Sequence, residues 1–222
     1  MISYYGTKTK IANLYPEPIY NTIIEPFAGF ARYSLRYHTK NVILYELDKK
    51  VFRIWKYLQN VSKNEFLSLP DIQPREDIRK IQWLIDEERW LIGFQGCRGA
   101  ARPVNIMSAQ RSTWAKDKLK IAEDLHKIKH WKIYQKDAMT MPIRKNCTYF
   151  IDPPYMKQVH GYTHKKVDYA ELKKIINKLD QKGAQVIVCG NESGTWLDFK
   201  PLKEMRGTNK KHIECVYLRN CD

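Results

Sequence analysis

Hydrophobic and polar positions along the chain switch between two periods, and the switches mark successive strands and helices. "NTIIEPFAGF" is a β-branched run ending at Glu25 and Pro26, which predicts a buried strand. Gly29 then opens a helix through about His38, and "NVILYELD" from Asn41 predicts a second buried strand that ends in acids. Val51, Ile54, Trp55 and Leu58 fall at i, i+3, i+4 and i+7, the face of an amphipathic helix, with Asp48 placed to cap it. Strand, helix, strand, helix predicts a parallel sheet with helices on its faces.

That alternation stops at Val61. "DIQPREDIRKIQWLIDEERWLIGF" predicts mainly helix, and "QGCRGAARPVNIMSAQRSTW" is Gly and Arg-rich with little periodicity. Residues 61–113 therefore read as a small insertion in a main domain made of 1–60 and 114–222. The α/β pattern resumes with a helix whose Ile121, Leu125 and Ile128 share one side, then the strand "WKIYQ" with Asp137 after it. "CTYFID" is the next strand, and "DYAELKKIINKL" a helix whose Asp168 and Glu171 resemble a capping box. "AQVIVCGN" and "HIECVYL" are the last clear strands.

Composition narrows the class. A chain of 222 residues with 43% hydrophobic and 28% charged residues suits one sizeable core in a soluble globular protein. No apolar run approaches the roughly 20 residues that span a bilayer. The start "MISYYGTKTK" lacks the apolar segment of a secretory signal, so a cytoplasmic protein is expected. Cys97, Cys147, Cys189, Cys215 and Cys221 form no CxxC pair, and His126 and His130 lie in no HExxH frame, so neither a disulfide framework nor a metal is expected. A formal net charge of +15 favours a polyanionic partner, because Lys and Arg that meet phosphates release counterions.

The unusual residues collect where strands end: Glu25-Pro26-Phe27-Ala28-Gly29, then Glu46 and Asp48, then Asp137, then Asp152-Pro153-Pro154-Tyr155. In an open parallel sheet, ligands bind outside those ends. An acid after the second strand suits ribose hydroxyls, and a Gly between strand and helix lets backbone amides approach a ligand. GxGxxG is absent, since Phe30, Ala31 and Arg32 follow Gly29, so a pyrophosphate would be poorly held. An adenosine cofactor without phosphate fits better, and S-adenosylmethionine is the common one; its sulfonium suits acids and aromatics. Asp152 and the Pro153 carbonyl can each accept one N–H of an exocyclic amine whose lone pair is delocalised, turning that lone pair towards a methyl donor. Tyr155 can stack on a base rotated out of its helix.

These residues resemble the Dam-like, alpha-group adenine-specific DNA methyltransferases, which carry FxGxG, then a recognition insertion, then DPPY. "YYGTKTKI" resembles the leading motif, with Tyr4 and Lys8 at the positions that contact cofactor. "IIEPFAGFARYSL" is similar to the FxGxG motif with its preceding acid and proline, and "YELD" to the acidic motif, with Glu46 at the ribose place. "KDAM" puts Asp137 where the family often contacts the cofactor's adenine, and "FIDPPY" resembles the catalytic motif. "PVNIM" resembles the end of the recognition hairpin, "VCGNES" a later strand motif and "NKKHIECVYL" the last strand.

The resemblance implies a Rossmann-like seven-stranded methyltransferase sheet, mostly parallel with one antiparallel strand near its edge, and a small, mainly helical insertion that reads double-stranded DNA. It implies transfer of a methyl group from S-adenosylmethionine to N6 of adenine. The chain departs from the family at Ala31, which replaces the second glycine, at Glu46-Leu47-Asp48, where the family often has Asp first, and in an insertion without the usual Asn-Gly-Leu run. The family's frequent GATC site therefore does not carry over. Gln95, Arg98, Arg102 and Arg111 are the candidates for base edges or phosphates. Lys116, Lys118, Lys120, Lys127 and Lys129 read as a solvated basic face. Methylation of RNA adenine or of N4 of cytosine remains open, as does a binding protein with a decayed cofactor pocket.

Overall fold

The computed structural model describes residues 11–97, 102–109, 114–155, 167–206 and 211–220. In chain order the elements are β1 (Thr22–Glu25), α1 (Arg32–Arg36), β2 (Asn41–Tyr45), α2 (Lys49–Asn60), α3 (Lys63–Leu67), α4 (Asp86–Gly96), α5 (Trp114–Asp124), β3 (Lys132–Tyr134), β4 (Thr148–Ile151), α6 (Tyr169–Gln181), β5 (Gln185–Asn191), β6 (Lys200–Arg206) and β7 (Lys211–Arg219). They divide into two compact units, one from the described parts of 48–130 and one from those of 8–47, 131–160 and 164–222.

The second unit is built on a seven-stranded sheet in the order β3-β2-β1-β4-β5-β7-β6. Pairing is parallel from β3 through β5, and β7 runs antiparallel to both β5 and β6. This is the mostly parallel, Rossmann-like α/β sheet with a single reversed strand that the sequence led us to expect. Strand side chains point alternately to opposite faces. Accordingly Ile24, Tyr149, Ile151, Val186 and Val188 pack with Leu172, Ile175, Ile176 and Leu179 of α6, while Ile23, Phe150, Ile187 and Cys189 pack with Tyr15 and Tyr33. Burial on both faces explains why these strands read as unbroken apolar runs.

β6 is the strand that the hydrophobic pattern did not reveal. "KPLKEMR" carries three basic residues, an acid and a proline, because it lies at the sheet edge, where Pro is tolerated and charge deters further pairing. Its Glu204 pairs with Lys211 of β7 at 2.9 Å.

The helical unit follows the sequence in part. Asp48 caps α2, accepting from the backbone N–H groups of Lys50 at 2.8 Å and Val51 at 3.3 Å, and Val51, Ile54, Trp55 and Leu58 are all buried. Between Asp71 and Phe94, however, only a 3-10 turn at Ile78–Lys80 and α4 are helical. The guanidinium of Arg89 donates to the carbonyls of Ile78, Ile81 and Leu84, satisfying a loop in a stretch where mainly helix was expected. The stretch 104–108 then runs against that loop and α4, with Ile78 N–H donating to Asn105 O at 2.8 Å and Val104 N–H to Gly93 O at 3.2 Å. A Cβ on Gly93 would stand 2.5 Å from the Val104 carbonyl oxygen, so the close approach requires glycine there.

The basic face on α5 is also corrected. Lys116 and Lys120 are exposed, but Lys118 is buried, donating to the Leu69 carbonyl at 2.6 Å and pairing with Asp71 at 2.8 Å. Lys129 donates to the carbonyls of Gln59 and Val61 at 2.7 and 2.9 Å, where it satisfies the C-terminal end of α2.

α1 is shorter than the Gly29–His38 span that was expected. It begins after Ala31, which adopts the left-handed conformation (φ 40, ψ 51), and ends at Arg36, with Tyr37 as its C-cap. A non-glycine residue there costs about 1–2 kcal/mol. Ala31→Gly relieves that strain, less the loss of a buried methyl and the greater unfolded-state entropy of glycine. The variant is expected to unfold at a midpoint about 1–3 °C higher by differential scanning calorimetry; a lower midpoint would show that the methyl's packing outweighs the backbone strain.

Candidate active site

β1, β2, β3 and β4 are parallel, so their carboxyl ends face one edge of the sheet. The chain leaves β1 to build β2 and β3 on one side and returns to β4 on the other, making β1 and β4 the point where strand order reverses. Parallel pairing and strand order thereby bring Gly29, Glu46, Asp137 and Asp152 to one edge of the sheet, each following its own strand.

At the end of β1, Glu25 is 2% exposed and accepts from the Ser34 backbone N–H at 2.7 Å. Burial pushes its carboxyl up from an ordinary 4.5 to about 8; the Ser34 hydrogen bond opposes the shift and the Asp152 carboxylate adds to it. Pro26, Ala28 and Phe30 are buried, and Phe27 packs partly against the core on the α6 side. Gly29 has φ 46 and donates its N–H to Glu46 Oε2 at 2.8 Å. The loop after β1 is thus tied to the acid after β2. The Ala28 and Glu46 N–H groups, donating to Tyr45 O and Tyr134 O at 3.1 and 3.0 Å, carry the pairing past the strand ends. Asp137 is exposed and caps a 3-10 turn, accepting from Met139 N–H at 2.9 Å.

β4 delivers Asp152, half-buried, then Pro153, Pro154 and Tyr155. The two proline carbonyls differ. That of Pro154 accepts the Tyr169 hydroxyl, whereas no described group donates to that of Pro153. The ring of Tyr155 packs partly against the Tyr15–Phe150–Cys189 side of the core, and its hydroxyl donates to Glu214 Oε1 at 2.5 Å. Burial, reinforced by Asp152, keeps that phenol well above its ordinary pKa, so it is neutral. Beside it, at the carboxyl ends of β4 and β5, a small pocket is lined by Pro153, Tyr155, Tyr169, Gly190, Asn191 and Trp196. Tyr169 and Trp196 lie 5.1 Å apart, ring centre to ring centre. A Cβ on Gly190 would meet the Phe199 ring at 2.5 Å, so this wall has no room for a side chain.

The structure therefore brings together Glu25, Gly29, Glu46, Asp137 and the Asp152–Tyr155 turn. Tyr4, Lys8, Arg98 and Arg111 lie outside the described residues. Arg102 is exposed, but Gln95 is 1% exposed within the buried end of α4, where a base edge has no access to it. Its neighbours Leu91, Ile92 and Phe94 are buried as well, so this last part of α4 has no polar side to offer. Among the described residues no group of His, Cys, Asp and Glu could hold a metal ion, and no helix is long and apolar enough to cross a membrane.

Tyr15, Tyr169, Trp196 and Glu214 were missed as site residues. Glu214 had a usable signal, since it is an acid inside the apolar strand "HIECVYL".

No family model matches the chain, and no curated protein does. Solved structures that resemble it include the rRNA methyltransferase aviRa of Streptomyces viridochromogenes, at 12% identity over 93% of this chain and 80% of that one, with a TM-score of 0.43. Another is an RNA methyltransferase of Salinibacter ruber in complex with S-adenosyl-L-homocysteine, at 10% identity over 90% and 80%, TM-score 0.36. A third is the glycopeptide N-methyltransferase MtfA complexed with S-adenosyl-L-methionine, at 10% identity over 99% and 68%, TM-score 0.40. At such identities and TM-scores these likenesses bear on neither acceptor nor cofactor.

Glu25 makes stability depend on pH. Its folded pKa is raised, so the folded state holds a proton that the unfolded state has released above pH 4.5, and stability falls as pH rises towards 8. Between pH 6 and pH 9 the loss is roughly 2–3 kcal/mol. Glu25→Gln is expected to remove that part of the decline in urea unfolding at the two pH values; the same decline in both proteins would show that Glu25 is not its source.

Proposed function

We propose that this protein transfers a methyl group from S-adenosylmethionine to the N6 amine of adenine in DNA, with the target base turned out of the duplex. The observation that carries the reading is the turn after β4. Asp152 stands at the point where strand order reverses, next to a proline carbonyl to which no described group donates, with an aromatic pocket beside them. A carboxylate and a carbonyl so close in the chain suit the two N–H donors of one exocyclic amine.

The donor set also fits the cofactor. An acid ends β1 and others follow β2, β3 and β4, and Glu25 is a buried carboxyl whose ionised form is disfavoured. A ligand carrying a sulfonium and an ammonium group would relieve that burden, while a phosphate would aggravate it. Glu46 is the residue for the ribose, Asp137 for the adenine, and Glu25 and Asp152 for the cationic end, with Tyr4 and Lys8 assigned by resemblance. Bound S-adenosylmethionine supplies an electrophilic methyl group.

The chain's own residues do the rest. Asp152 and the Pro153 carbonyl accept the amine's hydrogens and draw its lone pair out of conjugation, and the prolines hold both acceptors in place beforehand. Asp152 need not remove a proton before attack; it steadies the positive charge that develops on the nitrogen. Tyr155 offers a neutral ring for the base to stack on. The net charge of +15 and the exposed Arg102 suit a polyanionic acceptor.

The test is incorporation of labelled methyl groups into duplex DNA of mixed sequence, followed by nucleoside analysis. N6-methyladenine is expected, with Asp152→Ala at least about 100-fold slower. Equal incorporation by the variant would sink the mechanism. N4-methylcytosine as the product, or activity on RNA alone, would replace the acceptor.

A further inference from the structure

We propose that Glu214 is a positioning residue of the acceptor pocket, holding the ring of Tyr155 by its hydroxyl so that one face of that ring is presented to the incoming base. The proposal rests on the methyl-transfer reading for its function, and on geometry for the anchor itself. Glu214 is 3% exposed on β7 and pairs in register with Asn191 at the carboxyl end of β5. Its Oε1 accepts two hydroxyls, from Tyr15 at 2.7 Å and from Tyr155 at 2.5 Å.

The second tyrosine makes the anchor stiff. Tyr15 stands edge-on to Phe150 with ring centres 5.1 Å apart, and Phe150 stacks on Tyr33 at 4.1 Å. The Tyr33 hydroxyl in turn donates to the Pro16 carbonyl at 2.8 Å, next in the chain to Tyr15. Glu214 is therefore braced by a second tyrosine that is itself packed in the core. A turn that follows two prolines fixes where Tyr155 leaves the backbone but not how its ring is rotated; a hydrogen bond at the far end of the ring supplies that second fixed point.

The charge matters as well as the shape. A phenol donating to a carboxylate makes a stronger hydrogen bond than one donating to an amide, and its ring carries more electron density. Such a ring favours a base whose amino group becomes positive as the methyl group arrives, an attraction absent from the neutral ground state. Glu214 thus acts on the reaction through Tyr155, without touching substrate.

The experiment compares wild type with Glu214→Gln, Tyr155→Phe and the double variant. Glutamine keeps the size and an accepting oxygen, so the fold is expected to persist, which a thermal midpoint checks. Each single variant is expected to lower kcat for methyl transfer about tenfold with KM for S-adenosylmethionine unchanged, and the double variant to lose no more than either single one. Losses that multiply in the double variant would overturn the proposal. The anchor is also read without activity, from the ring carbon bearing the hydroxyl in tyrosine labelled with carbon-13. The Tyr155 signal, assigned by its disappearance in Tyr155→Phe, is expected to shift in Glu214→Gln. An unshifted signal would overturn the anchor whether or not methyl transfer is found, and a shifted signal in a protein that methylates nothing would sustain the anchor while refuting the reaction.

Discussion

Parallel pairing of β1 with β2 on one side and β4 on the other is the constraint on which the rest of the site depends. Each strand of a parallel group enters from the same end, so residues far apart in sequence emerge together at the other. The chain places its acids and its proline turn there. Where strand order reverses, successive connections depart in different directions and leave a crevice between the strand ends. Glu25 ends one of the two strands that flank this point and Asp152 directly follows the other, near enough for Asp152 to raise the Glu25 pKa.

Gathering acids at one edge is costly, and the structure shows how the cost is met. Glu25, buried, receives the Ser34 N–H and holds its proton to about pH 8. Glu214 receives two phenols. Glu46 receives the Gly29 amide. Every one of these bonds joins one segment of the chain to another, so the groups that relieve the electrostatics also fix the loops. Ala31 adds backbone strain beside the same crevice. An edge arranged in this way gives up folding stability for a site shaped in advance, as functional sites commonly do.

The two units were legible to different degrees. β1, β2, β4 and β5 announce themselves because they are buried on both faces, and the face of α2 because it is buried on one. β6 stays silent because an edge strand needs neither. The loop before α4 read as part of a mainly helical stretch, yet its Ile78, Ile81 and Leu84 carbonyls answer to the guanidinium of Arg89, a partner no local pattern displays. Lys118 and Gln95 looked like surface residues by type. One is buried beside Asp71 and the Leu69 carbonyl, the other in the last turns of a helix enclosed on all sides.

For the site, the residues that end strands could be found by reading along the chain, because strand ends, turn prolines and the glycine after β1 are local matters of backbone geometry. Asp152 through Tyr155 and the acids at 25, 46 and 137 come from that reading. Which of them share an edge, which carbonyl of the two prolines is already taken, and what holds Tyr155 from behind were settled only by the crossing of the chain from β3 to β4 and the reversal of β7. Glu214 lies 59 residues from Tyr155 and 199 from Tyr15. Hydrogen bonds over such separations leave no periodic trace, because they depend on how strands are ordered in space and not on the succession of residues along the chain.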